Sequence, residues 1–323
     1  MTMALAGASA PAQAQDATPA ASPAAEWTYT DVFGTTVSLP EPPRRIVANL
    51  ATAAALWDLG IKPVAVFDWT ASAYPDGDHI AWGNIDPAAV ENIGDAAGNI
   101  LPEKLLSVDP DIVMTQTFDN TNPEGMNGVP PDLVDPITRI APLLVVTNMD
   151  AIDVQLQRLV DLAASLGANL DDPAIVEARE AYEAKVEEFR TVAAEQQDLS
   201  ILFMDFDPEA IYIGGPGGVA ELKFLSGLGV NFANATAPAA GEFWEELSPE
   251  QALTYTSDVI FNDVYSTVLT LDDLRGVEVY ARIPAVEAGQ VGLWKRDFPL
   301  SYAGMTDFLE TLLVTLRDAE KIL

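Results

Sequence analysis

The side chains able to do chemistry in this sequence are almost all carboxylates. Asp and Glu number 49 against 16 Lys and Arg, there is one histidine, His79, and there is no cysteine. The missing thiols exclude disulfides, thiolate zinc sites, iron–sulfur clusters and cysteine nucleophiles. A single imidazole rules out a multi-histidine metal cage and leaves a Ser-His-Asp triad without support. His79 closes the run Asp76-Gly77-Asp78-His79, which reads as a solvated turn. Carboxylates beside tryptophans are also the equipment of a sugar-cleaving cleft. A carboxylate-based glycoside hydrolase is therefore the alternative of another class, although no pair is marked as buried or tuned.

Two glutamates stand out by register. Glu103, after Pro102, lies eight residues before Asp111-Ile112-Val113, and Glu250, after Pro249, lies eight before Asp258-Val259-Ile260. Each place reads as a short helix opening on Pro-Glu, then an acid leading into an apolar strand. The helix macrodipole favours an acid in a first turn by about 0.3–1 kcal/mol without any partner. Tyr212 opens a different feature, Ile213-Gly214-Gly215-Pro216-Gly217-Gly218, where backbone can approach a ligand closely. It lacks the Lys-Ser/Thr ending of a phosphate loop.

These residues need elements to position them. A length of 323 residues fits two domains of similar size, and 49% hydrophobic residues let each half bury its own core. A net charge of −33 repels phosphate backbones and anionic membranes, so no nucleic acid is expected as a partner. Such acidity suits a salty or acidic medium, or a partner with basic docking pockets. No run of 18 apolar residues follows the N-terminal stretch, so no membrane insertion is expected either. Residues 1–26 are rich in Ala, Pro, Ser and Thr. Met3 to Ala8 followed by Ala12-Gln13-Ala14 resembles the tail of a secretory signal peptide, with a tether behind it and without a lipobox cysteine.

From Trp27 onward, short β-rich runs alternate with helical stretches, which implies parallel βαβ units. In the first half the strands are Arg45 to Ala48, Pro63 to Phe67, Asp111 to Met114 and Leu143 to Val146. In the second they are Ile201 to Met204, Ile211 to Ile213, Val259 to Phe261 and Gln290 to Trp294. Between them Asp172 is a plausible N-cap and Pro173 fits the first helical position. Ile175, Tyr182, Val186, Phe189 and Ala193 then share one helix face. A helix over 173–196 would be roughly 36 Å long, enough to bridge two lobes. The chain thus divides into an N-terminal α/β lobe (27–150), a connecting region (151–198) and a C-terminal α/β lobe (199–323).

At this point the sequence resembles a known family. Tyr29-Thr30-Asp31-Val32-Phe33-Gly34 through Pro40, followed by Pro43-Arg44-Arg45-Ile46-Val47, is similar to the opening of the ABC-importer substrate-binding proteins for iron–siderophore complexes, cobalamin or haem. Glu103 with Asp109-Pro110-Asp111-Ile112-Val113, and Ile283-Pro284-Ala285-Val286 through Gly289-Gln290-Val291, are similar to two further patterns of that family, in the same order. The resemblance implies a class III periplasmic binding protein fold, two parallel-sheet α/β lobes joined by one long rigid helix. It implies a monomer outside the cytoplasm, a binding protein and not an enzyme, without intrinsic cofactor or protein-ligated metal. Its partners would be an ABC permease with its ATPase and a small-molecule metal chelate. Glu103 and Glu250 resemble the family's two permease-docking glutamates, exposed carboxylates that arginines can read bidentately.

Ligands of open α/β sheets sit beyond the carboxyl ends of strands and between domains. Bulky, partly apolar chelates need aromatic walls and a few polar anchors. On the cleft-facing loops the candidates are Trp69, Trp82, Phe118, Tyr212, Trp244, Tyr265, Trp294 and Tyr302, with Gln116 and Arg296 as anchors. Where anionic catecholates would want basic side chains, this chain reads Asp205-Phe206-Asp207. Like charges a few Å apart cost several kcal/mol even at an effective dielectric of about 20. An iron(III)–siderophore complex of hydroxamate type, neutral or cationic, is the expected ligand. Cobalamin or haem is the alternative on the same fold.

Overall fold

The computed structural model describes residues 26–207, 210–234, 242–264 and 269–323. The expected signal segment and Tyr265 lie outside them. An antiparallel hairpin of β1 (Trp27–Thr30) and β2 (Thr36–Leu39) opens the fold. Its Trp27 Nε1 donates to Ser165 Oγ at 3.2 Å.

The first sheet contains β3 (Ile46–Asn49), β4 (Ala65–Phe67), β5 (Glu91–Asn92), β6 (Ile112–Thr117) and β7 (Leu143–Thr147), all parallel, in the order β5-β4-β3-β6-β7. Every residue of β3 is buried, as expected of a central parallel strand covered on both faces. The helices α1 (Leu50–Asp58), α2 (Trp69–Ala73), α3 (Pro102–Ser107), α4 (Pro131–Thr138) and α5 (Ile152–Ser165) accompany this sheet.

The second sheet has β8 (Ile201–Phe206), β9 (Ile211–Gly214), β10 (Trp244–Leu247), β11 (Val259–Asp263) and β12 (Val291–Trp294), in the order β10-β9-β8-β11-β12. It carries α7 (Ala220–Gly227), α8 (Leu271–Gly276), α9 (Pro284–Ala288) and α10 (Tyr302–Leu316). This sheet departs from the all-parallel expectation, because β9 runs antiparallel to both β8 and β10. The reason is the link: Asp207 N donates to Ala210 O at 3.0 Å, and so tight a turn can only fold back as a hairpin.

Helix α6 (Pro173–Glu195) lies between the sheets in sequence, with Asp172 Oδ1 accepting from Ala174 N at 2.9 Å and Pro173 in the first turn. At 1.5 Å per residue it is about 35 Å long. Ile175, Phe189 and Ala193 are buried, while the acidic faces meet solvent. Helix α10 packs along it, and the contact carries a four-membered ion cluster. Lys185 Nζ lies 2.7 Å from Glu188 and 2.6 Å from Glu310, and Arg317 pairs with both glutamates. Exposed pairs of this kind contribute about 0.2–1 kcal/mol each. A continuous apolar cluster runs from Ile46, Leu56 and Leu162 through Phe189 to Phe203, Phe261 and Leu309. The two sheets are thus tied by shared core as well as by the helix.

The repeated Glu-to-Asp register has a structural cause. Asp111 Oδ2 accepts from the Arg44 and Arg45 N–H groups at 2.7 and 2.8 Å, just before β3. Asp258 Oδ2 accepts from Ser200 N at 2.7 Å, just before β8. Each acid latches the start of its own strand to the start of the neighbouring central strand.

Candidate functional site

A cavity of about 330 Å³ opens between the two sheets. One wall holds Ala51 and Thr52 at the start of α1, Gln116 near the end of β6, and Thr147 and Asn148 at the end of β7. The facing wall holds Ala220 and Glu221 from α7, with Phe243, Asp297 and Phe298. Farther along, the cavity reaches Tyr29 and Arg158. Two interlobe bonds tie the walls together. Lys223 Nζ of α7 donates to Met149 O at 2.6 Å, and Ser301 Oγ donates to Asp58 Oδ2 at 2.6 Å.

On the first wall, α1 starts directly from β3 with Asn49 at its N-cap and no side-chain cap bond. The carboxamide of Asn49 and the hydroxyl of Thr52 are buried without a hydrogen-bond partner among the described residues. Leaving a buried polar group unpaired costs about 1–3 kcal/mol. The exposed aromatics Trp69 (37%) and Phe118 (46%) follow the carboxyl ends of β4 and β6. Trp69 packs with Tyr74 at 6.4 Å and His79 at 6.5 Å between ring centroids. Gly98, at φ +87°, leaves no room for a Cβ against the Trp69 backbone.

The second wall gathers charge around one guanidinium. Arg296 Nε donates to the buried Asp263 Oδ2 at 2.8 Å, and its Nη1 lies 3.7 Å from Asp297 Oδ2. Burial opposes the Arg296 charge, but Asp297 and Asp263 outweigh it and raise the pKa. Asp205 is pushed up to about 6 by burial and by Asp263. Glu221 reaches about 7, chiefly through burial, with Asp297 adding to it and Arg296 opposing. Asp297 takes the left-handed conformation (φ 58°) that Asp tolerates better than most residues. Water reaches 42% of its side chain. It nevertheless lies in a confined cavity with protein on most sides, and this desolvation, together with Asp263 and Asp68, raises its pKa.

The structure brings four of the anticipated aromatic and anchor residues together. The ring of Trp244 lies 6.2 Å from Tyr212 and 5.6 Å from Trp294, and Arg296 sits 5.3 Å from its centroid, within cation–π range. Gln116 lines the cavity. Three of the anticipated residues, Trp294 among them, turn no face to the cavity. Trp82 and Trp294 are fully packed into the core, so they support the walls from behind and offer no face to a ligand. Tyr302, at the start of α10, packs against Tyr182 of α6 at 5.9 Å, away from the cavity. Glu103 and Glu250 are both exposed, in the first turn of α3 and in a short 3-10 turn after β10. Glu250 has its pKa lowered by its own backbone N–H and by Ser248.

Glu221 is the wall residue that the sequence reading missed. Its signal was a lone acid in the apolar run Val219-Ala220-Glu221-Leu222, which is unusual for a helix start buried on both flanks. Among the described residues, no group of three or more His, Asp or Glu side chains is arranged to hold a metal ion.

The family described as periplasmic binding protein matches residues 46–298. No curated protein matches the chain. Among solved structures, the chain is similar to DesE, a ferric-siderophore receptor protein from Streptomyces coelicolor, at 30% identity and a TM-score of 0.81, covering 92% of this chain and 100% of that one. It shares its fold with FhuD from Vibrio cholerae bound to Fe3+–Desferal, at 18% identity and TM-score 0.61 over 86% and 99% of the two chains. FhuD2 from Staphylococcus aureus with bound ferrioxamine B gives 18% and 0.59 over 85% and 98%. With a family match spanning both sheets and the helix between them, the chain belongs to the periplasmic binding protein family.

Proposed function

We propose that this protein is the extracytoplasmic solute-binding component of an ABC importer and that it captures an iron(III)–siderophore complex between its lobes. The observation that carries the reading is the end-to-end similarity to the DesE receptor together with a cavity walled from both lobes. Iron is the cargo and arrives wrapped in its chelator, so the protein's task is to hold the complex by shape and polarity. Trp69 and Phe118 would stack on its apolar parts, while Gln116, Tyr212, Trp244 and Arg296 would border it.

The charge of the site favours a hydroxamate-type complex. Arg296 is engaged by Asp263, and Arg158 pairs with Asp150 at 2.6 Å, so a triply negative catecholate would meet acids first. In this reading 27–150 and 199–323 act as the two lobes about the connecting region 151–198. Residues 1–26 serve export. Glu103 and Glu250 dock the protein, as a monomer, onto the permease.

Quenching of tryptophan fluorescence by ferric hydroxamate and ferric catecholate complexes tests the proposal. Saturable quenching by the hydroxamate, with weaker catecholate binding, is expected. Tighter catecholate binding would overturn the charge preference, and absence of binding by either would overturn the siderophore reading.

A further inference from the structure

We infer that the interlobe cavity receives a cationic amine arm of the captured chelate, held by Glu221 and Asp297 on one wall and by the Thr52 hydroxyl on the other. The inference rests on the reading of the chain as a chelate-binding protein and adds the charge and the polar group that its ligand presents.

Three observations carry it. First, the wall is oversupplied with acid: Glu221, Asp297, Asp263 and Asp205 are all electrostatically coupled to the one guanidinium of Arg296. Arg296 takes its short contact from Asp263 and reaches Asp297 only at 3.7 Å. Second, Glu221 is 8% exposed, lines the cavity and has no partner among the described residues other than its own backbone N–H. An ionised carboxylate buried without a partner is costly, and the cost is relieved when a cation arrives. Third, the opposite wall carries Thr52, 2% exposed, which lines the same cavity and whose hydroxyl has no hydrogen-bond partner among the described residues.

The other charged groups on the cavity are already engaged. Arg158 pairs with Asp150, and Asp31 Oδ1 accepts from the Phe33 and Thr35 N–H groups. A primary ammonium brings three donors and no acceptor. Two carboxylates and a hydroxyl oxygen offer it acceptors from both lobes, so its binding would bridge the two walls. The volume fits an arm better than a whole complex, since 330 Å³ lies at the lower end of small-molecule pockets, about 300–1,000 Å³. The bulk of the chelate would then rest outside, against Trp69 and Phe118. Glu221 titrates near neutrality. Ammonium binding would favour its ionised form and release a proton to solvent.

The test uses two iron complexes that differ only at that arm: ferrioxamine B, with its free terminal amine, and its N-acetyl derivative, which is neutral there. The full chain should bind the amine form about tenfold more tightly, a difference of about 1.4 kcal/mol. Glu221→Gln should abolish that preference, the amine form falling to the affinity of the acetylated complex. Equal binding of the two complexes by the unaltered protein would overturn the inference, and this comparison needs no variant to fold. Equal weakening of both by Glu221→Gln would also overturn it, because the residue would then be acting on the architecture alone. If neither complex binds, the siderophore reading itself falls and takes the inference with it.

Discussion

Ser301 Oγ donates a 2.6 Å hydrogen bond to Asp58 Oδ2 across 243 residues of sequence, joining the start of α10 to the end of α1. The same hydroxyl accepts from Gly304 N at 3.2 Å and so caps α10, while Asp58 Oδ1 accepts from Asn84 Nδ2 at 2.9 Å. Beside this pin, Gly83 (φ +52°) lies so close to Pro299 that a Cβ would collide with the ring. The lobes are therefore held at a defined separation by groups that never touch the cavity. Replacing Ser301 with Ala removes a cap and a charge-assisted bond together. It should cost about 2 kcal/mol in urea denaturation. A loss below about 0.5 kcal/mol, the range of ordinary surface changes, would show that the pin is idle.

Glu221 makes stability depend on pH in a direction opposite to most acids. Burial, the leading cause, raises its pKa from 4.5 to about 7 in the folded protein. The folded state then holds the proton more tightly than the unfolded one, so stability falls as pH rises between those values. Between pH 5 and 8 the parent protein should lose up to about 3 kcal/mol relative to Glu221→Gln. Melting both proteins across that range measures the difference directly. A pH-independent difference would contradict the assignment.

Asp258 behaves in the opposite sense. Burial alone would raise its pKa, but the N–H groups of Ser200, Ile322 and Leu323 and the Ser200 hydroxyl bind the carboxylate and depress it strongly. Its contribution is present at neutral pH and is lost as pH falls below the ordinary aspartate range. Asp258→Asn should cost on the order of 3 kcal/mol. It should also speed amide exchange at Ile322 and Leu323, and unchanged exchange there would refute the tether.

The docking role proposed for Glu103 and Glu250 separates uptake from binding. Both side chains are exposed and neither lines the cavity. Reversing both charges to Lys should abolish ligand uptake by cells while leaving solution affinity within about twofold. Surface changes of this kind typically alter stability by under about 0.5 kcal/mol, so folding should be intact. Undiminished uptake would remove the assignment.

Much of the scaffold was readable because its signals are local. Asp172-Pro173 marks the start of α6, and the face from Ile175 to Ala193 follows helical spacing, so the connecting helix is found within a residue of its observed end. Buried strands such as β3 and β11 announce themselves as short apolar runs. The antiparallel β9 was not legible, because strand direction depends on the turn at Asp207 and Ala210, whose backbone bond is a matter of geometry. The site was half legible. Loops after strands pointed to Gln116, Phe118, Trp69 and Arg296, but residue type could not tell a tryptophan on the surface from one beneath it. Trp294 ends β12 at the carboxyl edge where a ligand-facing residue would sit, yet its ring fills the space against Phe203 at 5.3 Å. Glu221 was hidden among 49 acids, and its burial on the cavity wall is a property of the fold that residue type does not carry.

If a ferric chelate is held between the two lobes, the anomalous scattering of iron in a crystal grown with a ferric hydroxamate complex will locate it there. One strong iron peak is expected in the interlobe cleft, bordered by Trp69 and Phe118 on one side and by Arg296 and Trp244 on the other. A peak on the outer surface of either lobe, or none between them in crystals whose solution binds the complex, would contradict it.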